Sequence, residues 1–247
     1  MSLIIENIDF KYKTKQILNK VCLEVEPGNV VSIIGPNGSG KTTFIKCINK
    51  ILRPQNGTIK LGKKSLLNMK QEEIAKNIAY VPQMTNDFFS GKVMDLIIMG
   101  RKPYIKWNIT ESDIDIVISI LEKMGIIELA DKNYSELSGG QKQKVLIARA
   151  LAQDTEIYLL DEPISFLDIK NQIEVMKMAK NLANQGKIVI IVVHDLNMAM
   201  RYSDKILLLE KGTVISTGKP KEVLTEKNIK KVYDIDVDIL NDHIITT

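Results

Sequence analysis

The sequence predicts an α/β fold: a mostly parallel sheet with crossover helices, interrupted by an inserted helical subdomain. Three observations predict it. The apolar runs at 30–34, 157–160, 188–193 and 206–209 are continuous rather than alternating, as in strands buried on both faces. Helical patterns at 169–185 and 196–201 separate the last three runs, the alternation that builds parallel strands. From about 93 to 151 the pattern changes to three successive helices, at 93–99, 112–124 and 140–151.

The remaining elements follow in chain order. Residues 3–10 mix β-branched and polar side chains and read as a strand; 21–25 alternate with period two and read as another. Pro27-Gly28-Asn29 turns the chain into the buried run at 30–34. A glycine-rich loop comes next, then a helical stretch at 43–51. Pro54-Gln55-Asn56-Gly57 is a turn before a short strand at 57–61, and the strand at 78–81 is stopped by Pro82. Residues 221–233 read as one C-terminal helix, and 234–247 carry no legible pattern. The 247 residues contain no repeat, low-complexity tract or linker. One domain is expected, with a core at roughly 1–85 and 152–247 and the helical subdomain at roughly 86–151.

Composition removes several classes. With 45% hydrophobic and 26% charged residues, the chain is neither disordered, collagen-like nor a disulfide-dense mini-protein. Aromatics are 5%, and 34 Lys+Arg stand against 30 Asp+Glu, which argues against stacking platforms or a basic footprint for nucleic acid. Cys22 and Cys47 have no metal-type spacing and are expected to be buried small residues in a reducing compartment. His194 and His243 are too few for a zinc site. The N-terminus lacks a secretory pattern, and the longest apolar run, 188–193, is far short of the ~20 residues of a membrane span. A soluble, cytoplasmic protein is expected, held at any membrane by another subunit.

Gly35-Pro36-Asn37-Gly38-Ser39-Gly40-Lys41-Thr42 matches G-x-x-x-x-G-K-[ST] between a buried strand and a helix that includes Thr43. Glycines let successive N–H groups turn inward as an anion nest, and the helix N-terminus adds partial positive charge. Lys41 supplies a point charge for the β- and γ-phosphates, and the Thr42 hydroxyl suits Mg²⁺. Average residue usage gives this pattern by chance in roughly one chain in a hundred, and its strand–loop–helix setting makes accident rarer still.

Three more strands end in polar groups. Leu159-Leu160-Asp161-Glu162-Pro163 delivers two carboxylates to the edge where α/β sheets bind ligands. Asp161 is placed for Mg²⁺ and Glu162 for orienting or deprotonating a water. Val192-Val193-His194-Asp195 delivers an imidazole suited to a γ-phosphate or the attacking water. Tyr80-Val81-Pro82-Gln83 delivers an amide oxygen suited to water or Mg²⁺.

Leu137-Ser138-Gly139-Gly140-Gln141 decides the class. Chance produces it in about three chains in ten thousand. It opens a helix, so the Ser138 hydroxyl and the Gly139 and Gly140 N–H groups make a second anion site. Two such sites in one chain make sense if the nucleotide is sandwiched between two copies.

With these motifs in this order, the sequence resembles the ATP-binding cassette (ABC) ATPases from about residue 4 to 232. The resemblance implies a P-loop NTPase: a RecA-like core with a mostly parallel sheet, an N-terminal antiparallel β-subdomain and the helical insertion. It implies that residues 35–43 bind ATP, that Tyr12 stacks on adenine, and that Thr42, Gln83 and Asp161 hold Mg²⁺. It makes Glu162 the catalytic base and His194 the γ-phosphate sensor, with Gln83 beside them. Leu137 to Gln141 and Asp168 would act across an ATP-sandwich homodimer. Ile164, where a Thr or another small residue is common, and Lys142 and Lys144, where Arg is frequent, depart from the pattern without touching a catalytic group.

Gly100-Arg101-Lys102-Pro103-Tyr104, with Gly212-Thr213-Val214 and Gly218-Lys219-Pro220, resembles the importer subunits for iron chelates, haem, cobalamin and molybdate. That implies integral membrane permease partners, an external substrate-binding protein, a peripheral place on the cytoplasmic face of the membrane, and no nucleic acid. Phe88, Phe89 and residues 101–104 would flank a groove for a short helix of the permease. Two alternatives remain in view. A soluble ATPase acting on nucleic acid or ribosomes would need a coiled coil, second cassette or basic arm that the sequence lacks. An exporter subunit is disfavoured by the 100–104 segment.

Overall fold

A computed structural model describes residues 1–83 and 89–246. Strands β1 (Leu3–Tyr12) and β2 (Lys15–Val25) form an antiparallel hairpin longer than the alternation at 21–25 predicts. Their register shifts between Ile5 and Ile8, Ile8 and Phe10, and Phe10 and Lys11, and each irregularity breaks strict period two. β3 (Val30–Ile34) is buried at every position. Helix α1 (Lys41–Ile48) starts earlier than the pattern suggests, because Gly40 in a left-handed conformation is its N-cap. β4 (Asn56–Leu61) pairs with β1, and β5 (Lys64–Ser65) completes a sheet of order β2-β1-β4-β5. The short α2 (Gln71–Asn77) is not legible in the sequence, since Ile74 is its one buried residue. It leads into β6 (Ile78–Val81).

The insertion holds α3 (Val93–Ile98), α4 (Glu111–Lys123) and α5 (Gly139–Ala152). Thr110 caps α4, its hydroxyl accepting from the Asp113 N–H while the Asp113 carboxylate accepts from the Thr110 N–H. Then come β7 (Ile157–Asp161), α6 (Ile169–Asn184), β8 (Ile188–Val192), α7 (Leu196–Tyr202), β9 (Lys205–Glu210) and β10 (Thr213–Gly218). The expected single helix at 221–233 is two, α8 (Pro220–Val223) and α9 (Glu226–Tyr233). Thr225 breaks them apart by capping α9 through the Asn228 N–H at 3.2 Å. The tail is a hairpin, β11 (Val237–Leu240) with β12 (His243–Thr246).

The main sheet has order β10-β9-β3-β8-β7-β6, parallel except for edge strand β10. Its strands divide their side chains between two cores. Val30, Tyr158, Leu160, Val189, Ile191, Ile206 and Leu208 face the core shared with the helical insertion, α6 and α7. Val31, Ile33, Ile157, Leu159, Ile188, Ile190, Val192 and Leu207 face the core shared with α1 and the antiparallel sheet. Burial on both faces explains the continuous apolar runs. Cutting any of these Leu or Ile side chains to Ala costs about 2–5 kcal/mol. Cys47 lies in the second core as expected, but Cys22 is exposed, because period two turns it outward between Val21 and Leu23.

Candidate active site

Neighbouring parallel strands in the order β3, β8, β7, β6 bring four C-terminal ends side by side, about 4.8 Å per step. The phosphate loop leaves β3, His194 follows β8, Asp161 ends β7 with Glu162 next, and Gln83 follows β6. They open on a cleft of about 840 Å³ lined by Asn37 to Thr43, Gln83, Glu162 and His194.

Gly35 sits at φ +146°, and a Cβ there would come within 2.1 Å of the Leu209 carbonyl oxygen. Lys41 is nearly buried, and its Nζ donates to the carbonyls of Gly35 at 2.8 Å and Pro36 at 2.9 Å. Burial lowers its pKa, while the Glu162 and Asp161 carboxylates push it up. The Ser39 hydroxyl is buried in this loop without a hydrogen-bond partner among the described residues. An orphaned hydroxyl among inward N–H groups is what a phosphate oxygen would satisfy.

Asp161 is fully buried. It accepts from the Thr42 hydroxyl at 3.0 Å and the Tyr80 hydroxyl at 3.3 Å. Burial raises its pKa, and those two hydrogen bonds pull it back down. The Tyr80 hydroxyl is in turn pushed well up, by burial first and then by the Asp161 charge. Thr42 and Asp161 supply oxygen donors for a hard cation. Among the described residues no three His, Cys, Asp or Glu side chains cluster as a cage. That donor set suits Mg²⁺ completed by phosphate oxygens and water.

Glu162 is held at three points. Gln83 Nε2 donates to its Oε2 at 2.8 Å, the Ser165 hydroxyl donates to the same oxygen at 3.4 Å, and His194 Nε2 lies 2.7 Å from Oε1. This leaves the Gln83 amide oxygen available to a cation or water. The structure thus brings together Lys41, Thr42, Gln83, Asp161, Glu162 and His194.

Other expected residues lie elsewhere. Leu137 is buried, while Ser138 and Gly139 are exposed at the start of α5 and do not line the cleft. Ser138 and Gln141 cap each other: Ser138 N–H donates to Gln141 Oε1 at 3.0 Å, and Gln141 N–H to the Ser138 hydroxyl at 3.4 Å. Exposed Asp168 caps α6 through the Asn171 N–H at 2.8 Å. Tyr12 stacks edge-on against Phe10 at the end of β1; Lys15, Gln16 and Ile17 border the cleft instead.

Arg101 lines a cleft of about 860 Å³ and is tied down there rather than free. It pairs with Asp113 at 3.1 Å, donates to the Ala152 carbonyl at 2.9 Å and covers the Tyr104 ring, knitting the insertion together. Phe89 packs edge-on against Tyr134, and Phe88 lies outside the described residues. The departures also find partners: Lys144 pairs with Glu174 of α6 at 3.3 Å, and Lys142 lies over the Tyr134 ring.

Sequence reasoning missed Tyr80, Ser165 and the structural part of Gly212. Gly212 N–H donates to the Ser39 carbonyl at 3.0 Å, and its own carbonyl accepts from Asn19 N–H at 2.8 Å. It fastens the phosphate loop to β2. The signal was present for Tyr80, which stands on the same strand end as Gln83.

The profile described as ABC transporter matches residues 18–165. The chain belongs to the ABC transporter family. An uncharacterised ABC transporter ATP-binding protein of Methanocaldococcus jannaschii is 46% identical over 98% of this ABC ATPase and 94% of its own length. The iron(3+)-hydroxamate import ATP-binding protein of Bacillus subtilis is 37% identical over 98% and 91%. Among solved structures, an inward-facing metal-chelate type ABC transporter superposes with a TM-score of 0.83 and 28% identity, over 99% of this chain and 95% of that one. The cassette binds and hydrolyses ATP. No helix among the described residues is long and apolar enough to cross a membrane.

Proposed function

We propose that this ABC ATPase is the motor subunit of an importer for metal chelates, working as a homodimer on the cytoplasmic face of the membrane against integral permease subunits. The observation that carries the reading is near-full-length similarity to an iron(3+)-hydroxamate import subunit, joined to an intact row of hydrolytic strand ends. An external binding protein would deliver the chelate.

Lys41 and the loop N–H groups hold the β- and γ-phosphates. Thr42, Asp161 and Gln83 hold Mg²⁺, which when bound neutralises charge on the phosphate oxygens. Glu162 takes the proton of the attacking water at its carboxylate, and His194 donates to the γ-phosphate. Ser138, the Gly139–Gly140 N–H groups and Asp168 act on the ATP of the second copy, since they lie outside the cleft of their own chain. ATP joins the two copies, and loss of the γ-phosphate releases them, which passes alternating access to the permease.

The test is purification of the C-terminally tagged chain from detergent-solubilised native membranes, followed by uptake in vesicles of known orientation. A stoichiometric, strongly hydrophobic partner and ATP-dependent inward transport of a ferric chelate are expected. Recovery in the soluble fraction with RNA, DNA or nothing bound, or outward transport, would overturn the reading.

A further inference from the structure

The C-terminal hairpin is tied to the segment that carries His194 through the side chain of Asn197. The Asn197 amide grips the backbone of Ile244 at two points: Oδ1 accepts from the Ile244 N–H at 2.8 Å, and Nδ2 donates to the Ile244 carbonyl at 3.1 Å. Ile244 pairs with Ile239 across the hairpin, and its two backbone groups turn away from β11 towards Asn197. The grip therefore takes nothing from the hairpin's own ladder.

Asn197 lies three residues after His194. Between them, Asp195 caps α7, accepting from the Asn197 N–H at 2.8 Å and the Met198 N–H at 3.0 Å. The segment carrying His194 is thus fixed by β8 on one side and by the first turn of α7 on the other. Seven residues are too few for a helix to hold itself. The hairpin is well placed to hold it: β12 packs against α7, Val237 of β11 is buried in the core that also holds Ala199, Met200 and Tyr202, and Asp242 pairs with Lys221 at 2.9 Å. At the far end of the chain of contacts, His194 meets Glu162.

We infer that Asn197 is a positioning residue for ATP hydrolysis: its grip on Ile244 lets the C-terminal hairpin set where His194 stands relative to Glu162. The inference rests on the assignment of His194 and Glu162 to the hydrolytic step. An error of about 1 Å in such a group lowers the rate by up to about a hundredfold.

The experiment measures ATPase kcat and KM of the full chain in its membrane-derived complex, together with Tm, for Asn197→Ala, Ile244→Pro, the pair combined, and Asn197→Asp. Ile244→Pro removes the N–H from the other side of the grip while leaving Asn197 in place. Each single change is expected to lower kcat about tenfold with KM for ATP within about twofold. The combined variant should be no slower than the worse single one, because both break one contact. Asn197→Asp keeps the acceptor for the Ile244 N–H and should recover part of the rate. In a His194→Ala background, Asn197→Ala should cost nothing further, which a purely structural role would not give. Wild-type kcat in both single variants, a multiplicative double variant, or a full extra loss in the His194→Ala background would overturn the inference. Wild-type turnover by His194→Ala alone would instead remove the His194 assignment, and the inference with it.

Discussion

Glu162 carries its three side-chain contacts on a backbone at φ +53°, a left-handed conformation that a non-glycine residue adopts at a cost of about 1–2 kcal/mol. Pro163 follows directly, so the turn is stiff on both sides and the carboxylate is aimed rather than free. Glu162→Gln keeps size and several hydrogen bonds but cannot take a proton. Turnover should fall by about 10²–10⁴-fold with ATP affinity retained, and an ATP-bound dimer should accumulate on size-exclusion chromatography. Normal turnover would take the base role away from Glu162. Lys41→Ala leaves the Gly35 and Pro36 carbonyls without their cation and the phosphates without theirs. ATP binding by equilibrium dialysis should drop to a level near background; unchanged affinity would sink the phosphate-loop assignment. The two thiols separate cleanly. Burial pushes the Cys47 thiol up to about 12, whereas Cys22 is exposed. A thiol whose folded pKa is raised favours the fold while protonated; that contribution is whole below the ordinary thiol value of 9.0 and is lost as pH rises from there through about 12. At pH 8 a thiol reagent should therefore titrate one cysteine per native chain and two in denaturant; two in the native chain would contradict the burial of Cys47.

At the scale of elements, what the sequence made legible was whatever depended on local pattern. β3 and β6 match their mostly apolar runs in extent, the buried polar Ser32 of β3 being satisfied by the Ser203 hydroxyl at 2.6 Å. The strand ends carrying Lys41, Gln83, Glu162 and His194 were readable because each motif follows directly on such a run. Elements resting on long-range pairing were not: bulges hide the length of β2, β10 is only half buried, and the final hairpin has one buried residue, Val237, in its first strand. The capping break at Thr225 was likewise invisible to a search for apolar stripes. Gly212 belongs to this group, because its importance lies in what it touches. It sits at φ +78° with the Ile17 carbonyl oxygen 2.0 Å from where a Cβ would stand. Gly212→Ala should cost about 2 kcal/mol or more, roughly 4–8 °C in Tm for a domain of this size, and should weaken ATP binding through Ser39. A Tm within a degree of wild type would mean that the turn yields easily.

At the scale of the whole molecule, the main sheet separates two jobs. One face packs on α1 and the antiparallel sheet, around the root of the phosphate loop; the other packs on the helical insertion, whose α5 begins with the Leu137–Gln141 motif. The phosphate loop and the Leu137–Gln141 motif thus stand on different parts of the chain, as the proposed ATP sandwich between copies requires. The connection from α3 to α4 carries Trp107, 93% exposed and the one tryptophan of the sequence. Emission excited at 295 nm therefore reports from a single spot on the insertion. In the free subunit it should be red-shifted and quenched readily by acrylamide. When the permease is bound, a blue shift with loss of quenching would mark this loop as covered, and an unchanged spectrum would place the permease on another face of the cassette.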